Sequence, residues 1–307
     1  MGRKLMADLL FQSVFSANCL RNMQMTHTGH QLQDIVSHNL NDETNKWIAE
    51  KLDTIVAGTS ARELYMAYTL LGSKIRGGDP VAYPEAGTDV CKYLEAHGAS
   101  LLEICRIYLL VSVLEENPGY FKPKVAQLIQ VADTTELVSF LRFLILLPDP
   151  EAFRHVGVEA LRTNIATVFD AISQNNPYPS LFFDEQQWNQ MYLKAAFMQR
   201  DLQKIQDIDK RANKELARII SDYAHERWAA GRDVDPYFWR PVSNFLEGVL
   251  LEDIKRLLGS EDPAENRAGA LCCFHSSLEQ ANMLLANYPE LKEQIAAGKL
   301  SWDTVKE

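Results

Sequence analysis

Residues 100–119 read SLLEICRIYLLVSVLEENPG, and this stretch decides the fold class. Ser100 followed three residues later by Glu103 is a capping box, in which hydroxyl and carboxylate satisfy the free N–H groups that open a helix. The apolar run behind it lacks the strict alternation of a half-buried strand and ends at Asn117-Pro118-Gly119, a stop signal. The spacing predicts a helix over 100–116. Its most apolar part, 107–114, is too short to cross a bilayer, and so is 137–147, which Arg142 interrupts. Both read as core helices.

Outward from this stretch the same signals recur. Ser60 with Glu63, Asp133 with Glu136 and Asp184 with Gln187 all fit the capping box. Stops stand at Gly77-Gly78, His97-Gly98, Pro148 and Gly231. The sequence predicts an all-α protein of about twelve helices: 4–20, 31–56, 60–76, 86–97, 100–116, 122–131, 134–147, 150–174, 184–198, 209–231, 235–258 and 263–287, with a short pair near 290–305. Between 60 and 174 the helices alternate with short breaks. This is the pattern of an irregular α-solenoid or of stacked helical pairs, although the letters keep no fixed period. The substantial break is 174–183, QNNPYPSLFF, whose two prolines and two asparagines cannot continue a helix. It separates a repeat-like N-terminal region, 1–174, from a C-terminal region, 175–307, or else is a loop within one continuous helical unit.

Composition narrows the function. The chain has 307 residues, 47% apolar and 23% charged, the balance of a soluble globular protein. Its net charge of −10 leaves no positive field to collect phosphates, which argues against a nucleic-acid partner and against direct membrane attachment through anionic lipid. Cys19, Cys91, Cys105, Cys272 and Cys273 are odd in number, scattered and without a C-x-x-C. Reduced, buried thiols in a cytoplasmic protein are therefore expected. The N-terminus has a signal-peptide flavour, but Asp8 and Gln12 break its apolar core and no small-x-small site follows. Leu5, Leu9, Phe15 and Cys19 instead mark an amphipathic first helix.

The unusual segment is 175–240. It holds Trp188, Trp228 and Trp239, together with a polar set that no simple amphipathic helix needs: Asn189, Gln190, Lys194, Arg211, Asn213, Arg218, Asp222, His225, Glu226, Arg227, Arg232 and Arg240. On a helix over 209–231, Arg211, Arg218, His225 and Arg232 recur every seven residues, close to two turns, and fall nearly in one row. A basic row beside tryptophan suits a flat anionic ligand, because guanidinium forks carboxylate or phosphate and indole faces stack. The same letters fit a surface helix with i,i+4 pairs such as Arg218 with Asp222, or a buried polar network that locks helices together.

Other patterns point to no metal and no cofactor. His27, His30 and His38 lack a carboxylate pattern such as H-E-x-x-H, and His225-Glu226 begins that motif but has Ala229 where the second ligand belongs. Residues 74–80 lack the G-x-x-x-x-G-K-[ST] of a phosphate loop. Cys272 and Cys273 point to different sides of a helix, and no G-x-S-x-G occurs.

The run Tyr178-Pro179, Phe183-Asp184, Trp188-Asn189-Gln190-Met191 and Leu193-Lys194-Ala195 resembles the EboA family. The resemblance continues through Asp209, Arg211-Ala212-Asn213 and Glu215-Leu216-Ala217-Arg218. It culminates in Asp222-Tyr223-Ala224-His225-Glu226-Arg227-Trp228-Ala229-Ala230-Gly231-Arg232 and Trp239-Arg240. It spans about 175–245, and departs from the family where Asp207-Ile208-Asp209 stands in place of Gly before a Leu-Asp pair. What the resemblance implies is a place in the bacterial ebo gene cluster, which is linked to moving secondary-metabolite precursors from cytoplasm towards periplasm. It supplies no reaction and no catalytic residues. The resulting expectation is a non-catalytic helical protein that binds a metabolite precursor or another ebo-cluster protein. Its site would be built from Trp188, Arg211, Asn213, Arg218, Asp222, His225, Glu226, Arg232, Trp239 and Arg240. The alternatives are a scaffold docking other cluster proteins, or an enzyme in which His225, oriented by Asp222 or Glu226, moves a proton while Arg211 and Arg218 hold an anion.

Overall fold

The computed structural model describes residues 28–75, 78, 80–84 and 88–307. The expected first helix, 4–20, with Cys19 and His27, lies outside the described residues, as do Arg76 and Gly77 of the 74–80 loop. Among the described residues the chain is 74% helical with no strand, which makes it all-α. It has eighteen α-helices there rather than about twelve, because several expected helices are broken. Two compact units are present. One comprises the described part of 1–172 with 176–182, the other 173–175 with 183–307.

The first unit holds α1 (Thr28–Asn39), α2 (Asp42–Gly58), α3 (Ala61–Lys74), α4 (Asp89–Ala96), α5 (Leu101–Glu116), α6 (Pro118–Ala126), α7 (Leu128–Val131), α8 (Thr134–Arg142), α9 (Arg154–Ala160), most of α10 (Ala166–Ser173) and α11 (Tyr178–Phe182). Helix α5 is its core: residues from Ile104 to Val111, with Val113 and Leu114, are all buried, as befits a helix apolar on nearly every side. Its capping box is complete, with Glu103 N–H donating to Ser100 Oγ at 3.3 Å and Ser100 N–H to Glu103 Oε2 at 2.9 Å. Asp133 and Glu136 form the same box on α8. At α3 only half of it forms: Ser60 caps Glu63 N–H, while the Glu63 carboxylate turns to Lys51 at 3.2 Å. Buried Arg106 donates to Thr135 O at 3.1 Å and Ser139 Oγ at 3.0 Å and lies over the Tyr68 ring.

The breaks at Asn41 and Asn117 share a cause. Asn41 caps Thr44 N–H at 2.9 Å and splits the expected 31–56 helix into α1 and α2. Asn117 ends α5 and also caps α6, so that the helix expected from 122 starts at Pro118. The expected 150–174 helix is a 3₁₀ turn, Pro150–Phe153, then α9 and α10. Short polar side chains hydrogen-bond nearby backbone N–H groups in non-helical geometry, and so interrupt helices that apolar periodicity alone would continue.

The second unit runs through α12 (Glu185–Phe197), α13 (Ile208–Arg211), α14 (Lys214–Ala229), a 3₁₀ segment Pro236–Phe245, α15 (Val249–Leu258), α16 (Pro263–Phe274), α17 (Glu279–Leu285) and α18 (Pro289–Ala296). Asp184 and Gln187 complete a capping box on α12. The 3₁₀ segment buries Tyr237, Phe238, Trp239 and Val242. Helix α16 presses on α15 through Gly269, where a Cβ would stand 3.0 Å from the Leu258 side chain and 3.1 Å from its backbone nitrogen.

Candidate functional site

The expected helix over 209–231 does not exist as one piece. Ala212 leaves helical geometry and Asn213 becomes the N-cap of α14, its side chain accepting from Leu216 N–H at 2.8 Å. Beyond the other end, Gly231 takes φ 64°, a left-handed terminator, and Arg232 follows it. Only Arg218 and His225 of the four-residue row share a helix. The row is thereby corrected into separate places.

Arg211 and Asn213 join α12 to the start of α14. The Arg211 guanidinium donates to Phe183 O at 2.9 Å and Asp184 O at 3.1 Å, and lies 5.0 Å over the ring of fully buried Trp188. Burial lowers its pKa, against the pull of Asp184 and Glu185. Asn213 exchanges amide hydrogen bonds with buried Asn189, at 2.8 Å one way and 3.1 Å the other. Arg240 clasps both oxygens of Asp209, at 2.8 and 2.6 Å, and donates to the Tyr237 hydroxyl. Arg218 stands on the surface between Glu215 and Asp222, the i,i+4 arrangement that the sequence allowed. The side chains of Glu226 and Arg232 are exposed.

His225 is placed differently. Its Nε2–H donates to Asp253 Oδ1 at 2.6 Å, and Ser221, one turn earlier, donates to Asp253 Oδ2 at 2.5 Å. The Asp253 side chain is only 5% exposed, whereas the imidazole is 47% exposed. A buried carboxylate therefore holds a half-exposed ring. Neither Asp222 nor Glu226 orients it: Asp222 is taken by Arg218. Ser221 and His225 both address Asp253 rather than each other, which is the geometry of a held imidazole and not of a nucleophile with its base.

Aromatic rings continue the site. His225 leans on Trp228 with ring centroids 5.7 Å apart, and Trp228 stacks on Trp239 at 5.6 Å with 19° between planes. The guanidinium of Arg256, on α15, covers Trp228 at 4.1 Å. Trp239 is wholly buried, and its indole N–H, like that of Trp188, has no acceptor. His225, Trp228, Trp239, Asp253 and Arg256 thus form one cluster with a cationic and aromatic outer side. Sequence reasoning missed Ser221, Asp253 and Arg256. The available signal was Asp253 itself, a charged residue one turn before Leu257 on the apolar stripe of α15.

Among the described residues no group of histidine, cysteine and carboxylate side chains is arranged to hold a metal ion. His30 pairs instead with Asp34 at 3.2 Å on the surface. Cys272 and Cys273 are buried, and the Cys272 thiol lies 3.4 Å from Trp239 O. No helix among them is long and apolar enough to cross a membrane.

The fold and this cluster define an all-α protein with an aromatic and basic face in its C-terminal unit. Residues 28–243 match the family model described as metabolite traffic protein EboA, and the chain belongs to the EboA family. The match reaches well beyond 175–245, into the helices of the first unit. No curated protein matches the chain, and no solved structure does.

Proposed function

We propose that this protein is a non-catalytic, cytoplasmic member of a metabolite traffic pathway, and that it binds a small metabolite precursor on the face formed by His225, Trp228 and Arg256. The observation that carries the reading is the Asp253 carboxylate, buried and committed to an imidazole that stays open to solvent. Burying a carboxylate costs several kcal/mol unless it is well paired. Here the pairing also fixes the ring, with a tilted indole on one flank and a guanidinium over that indole. Such a face suits a planar ligand with a carboxylate or similar anion: the ring lies against the open side of the His225 imidazole and the anion meets Arg256.

The test is native mass spectrometry of the intact chain after exposure to extract from a producing bacterium. A reproducible added mass of small-molecule size, retained by Arg218→Gln and lost in His225→Gln and Arg256→Gln, is the expected result. An adduct indifferent to both His225→Gln and Arg256→Gln removes this face from consideration. The scaffold reading has one observation in its favour, the 74% exposure of Phe197 at the end of α12. It gains ground if no small mass is retained and a purified ebo-cluster protein binds the chain unless Phe197 is replaced by Ser.

A further inference from the structure

The first unit contains a cavity that the site above does not use. It lies among α1, α2 and α5, is half open to solvent and has a volume of about 530 Å³, within the range of small-molecule sites. One wall is apolar, from Ala49, Leu52 and Val56 of α2, and the mouth carries the carboxylates of Asp53, Glu115 and Glu116. The carboxylates alone would be a solvated rim. A half-open hollow of this volume, with the apolar side chains of α2 beside them, is what distinguishes the place.

We propose that this cavity is a second ligand site, and that it takes an organic ammonium ion carried on a flat apolar body. Charge decides the ligand's sign. Three carboxylates line the cavity against one basic side chain, His30, whose imidazole already faces Asp34 at 3.2 Å. A cation entering gains from this field, and an anion is repelled by it. One of the three carboxylates is fixed in advance. Glu115 accepts the Gly29 N–H at 3.2 Å at the start of α1, and a Cβ at Gly29 would stand 2.1 Å from Glu115 Oε2, so a side chain there would displace this carboxylate. Tyr108 and Ser112 line the α5 side, the Ser112 hydroxyl donating to Tyr108 O at 2.8 Å. Burial, with the nearby Glu115 charge, raises the Tyr108 pKa, so its phenol remains a neutral partner rather than adding a fourth negative charge. The apolar wall receives the body of the ligand, and the rim receives its ammonium group.

The probes are monodansylcadaverine, a flat ring system on an aminoalkyl chain, and dansylglycine, which carries the same rings on a carboxylate. Both are titrated into the intact chain and followed by emission shift and anisotropy. The cationic probe should bind at least about tenfold more tightly than the anionic one. The double variant Asp53→Asn/Glu116→Gln changes two exposed side chains that support no helix cap, and it should remove that preference. Val56→Arg, which sets a cation in the apolar wall, should abolish binding of the cationic probe while the far-UV circular dichroism is unchanged. His225→Gln should change nothing, since that residue belongs to the other face. Equal affinity for the two probes, cation binding that survives both cavity variants, or no binding of the cationic probe at millimolar concentration would each overturn the proposal. None of these outcomes bears on the adduct test at His225 and Arg256, so the two sites stand or fall separately.

Discussion

Ser221 and His225 both donate to Asp253, but from opposite conditions of water access, and that difference sets the size of two substitutions. His225→Ala removes the 2.6 Å partner of Oδ1. The imidazole is 47% exposed, so water enters the space it leaves and hydrates the oxygen. The loss should lie at or below the low end for a hydrogen bond to a charged group, about 1.5 kcal/mol. Ser221→Ala removes the 2.5 Å partner of Oδ2 at a residue that is 4% exposed. There the missing hydroxyl leaves a carboxylate oxygen unpaired in the interior, which costs about 2–3 kcal/mol. The smaller atomic deletion is thus expected to do the greater damage. Urea titrations of each variant at pH 7.5, followed by far-UV circular dichroism and extrapolated at a common slope, measure the order directly. If His225→Ala costs as much as Ser221→Ala or more, the imidazole is a strut of the interior. The argument that Asp253 holds it out for a ligand then fails.

Three further outcomes follow from the same geometry. Asn213→Asp keeps the cap on Leu216 N–H but loses the amide that Asn189 accepts, whereas Asn213→Ala loses both; denaturant titration should rank Ala below Asp by about 1 kcal/mol, the worth of the cap. The Glu136 N–H, with help from Thr135, holds the Asp133 carboxylate below its ordinary value of 3.8. A depressed carboxylate contributes stability that is complete above that value and is lost as pH falls through the folded one, so the native chain should lose more stability below pH 3.8 than Asp133→Asn, an equally good cap that does not titrate. Burial pushes the Cys105 and Cys273 thiols up to about 12, and Cys91 and Cys272 are buried as well. A Cys19→Ser chain should therefore react with a thiol reagent at pH 8 only after denaturant is added, and prompt labelling of the folded chain would contradict this packing.

What was legible in the sequence was local. Ser100 with Glu103, Asp133 with Glu136 and Asp184 with Gln187 are decided within four residues, and all three capping boxes form. The breaks at Asn41 and Asn213 were missed although they are equally local. A lone asparagine inside an apolar pattern reads as a tolerated polar residue until its side chain is seen taking the backbone N–H three residues on. The partner of His225 was missed for a different reason. Asp222 and Glu226 are its neighbours in sequence, but Asp253 lies 28 residues away on another helix. Periodicity places a residue on a face without saying which face of which helix it meets.

The run from Asp222 to Arg232 can now be divided by what the fold needs. Asp222 pairs with Arg218, Tyr223 sets its ring edge-on to Phe238, and Ala224 is fully buried. Arg227 closes the end of α14 by donating to Asp233 O at 3.1 and 2.8 Å, and Gly231 supplies the left-handed turn. Trp228 stacks on Trp239. The architecture therefore explains most of the motif without any ligand. Left over are the solvent side of a fixed imidazole, the Arg256 guanidinium over Trp228, and the exposed side chains of Glu226 and Arg232. Arg218 carries little of the functional argument, because its charge is already answered by Glu215 and Asp222 on the surface. His225 carries more, because a buried carboxylate is given over to it while half of the ring stays in water. That asymmetry is why the tests of function are placed at His225 and Arg256 rather than along the arginine row.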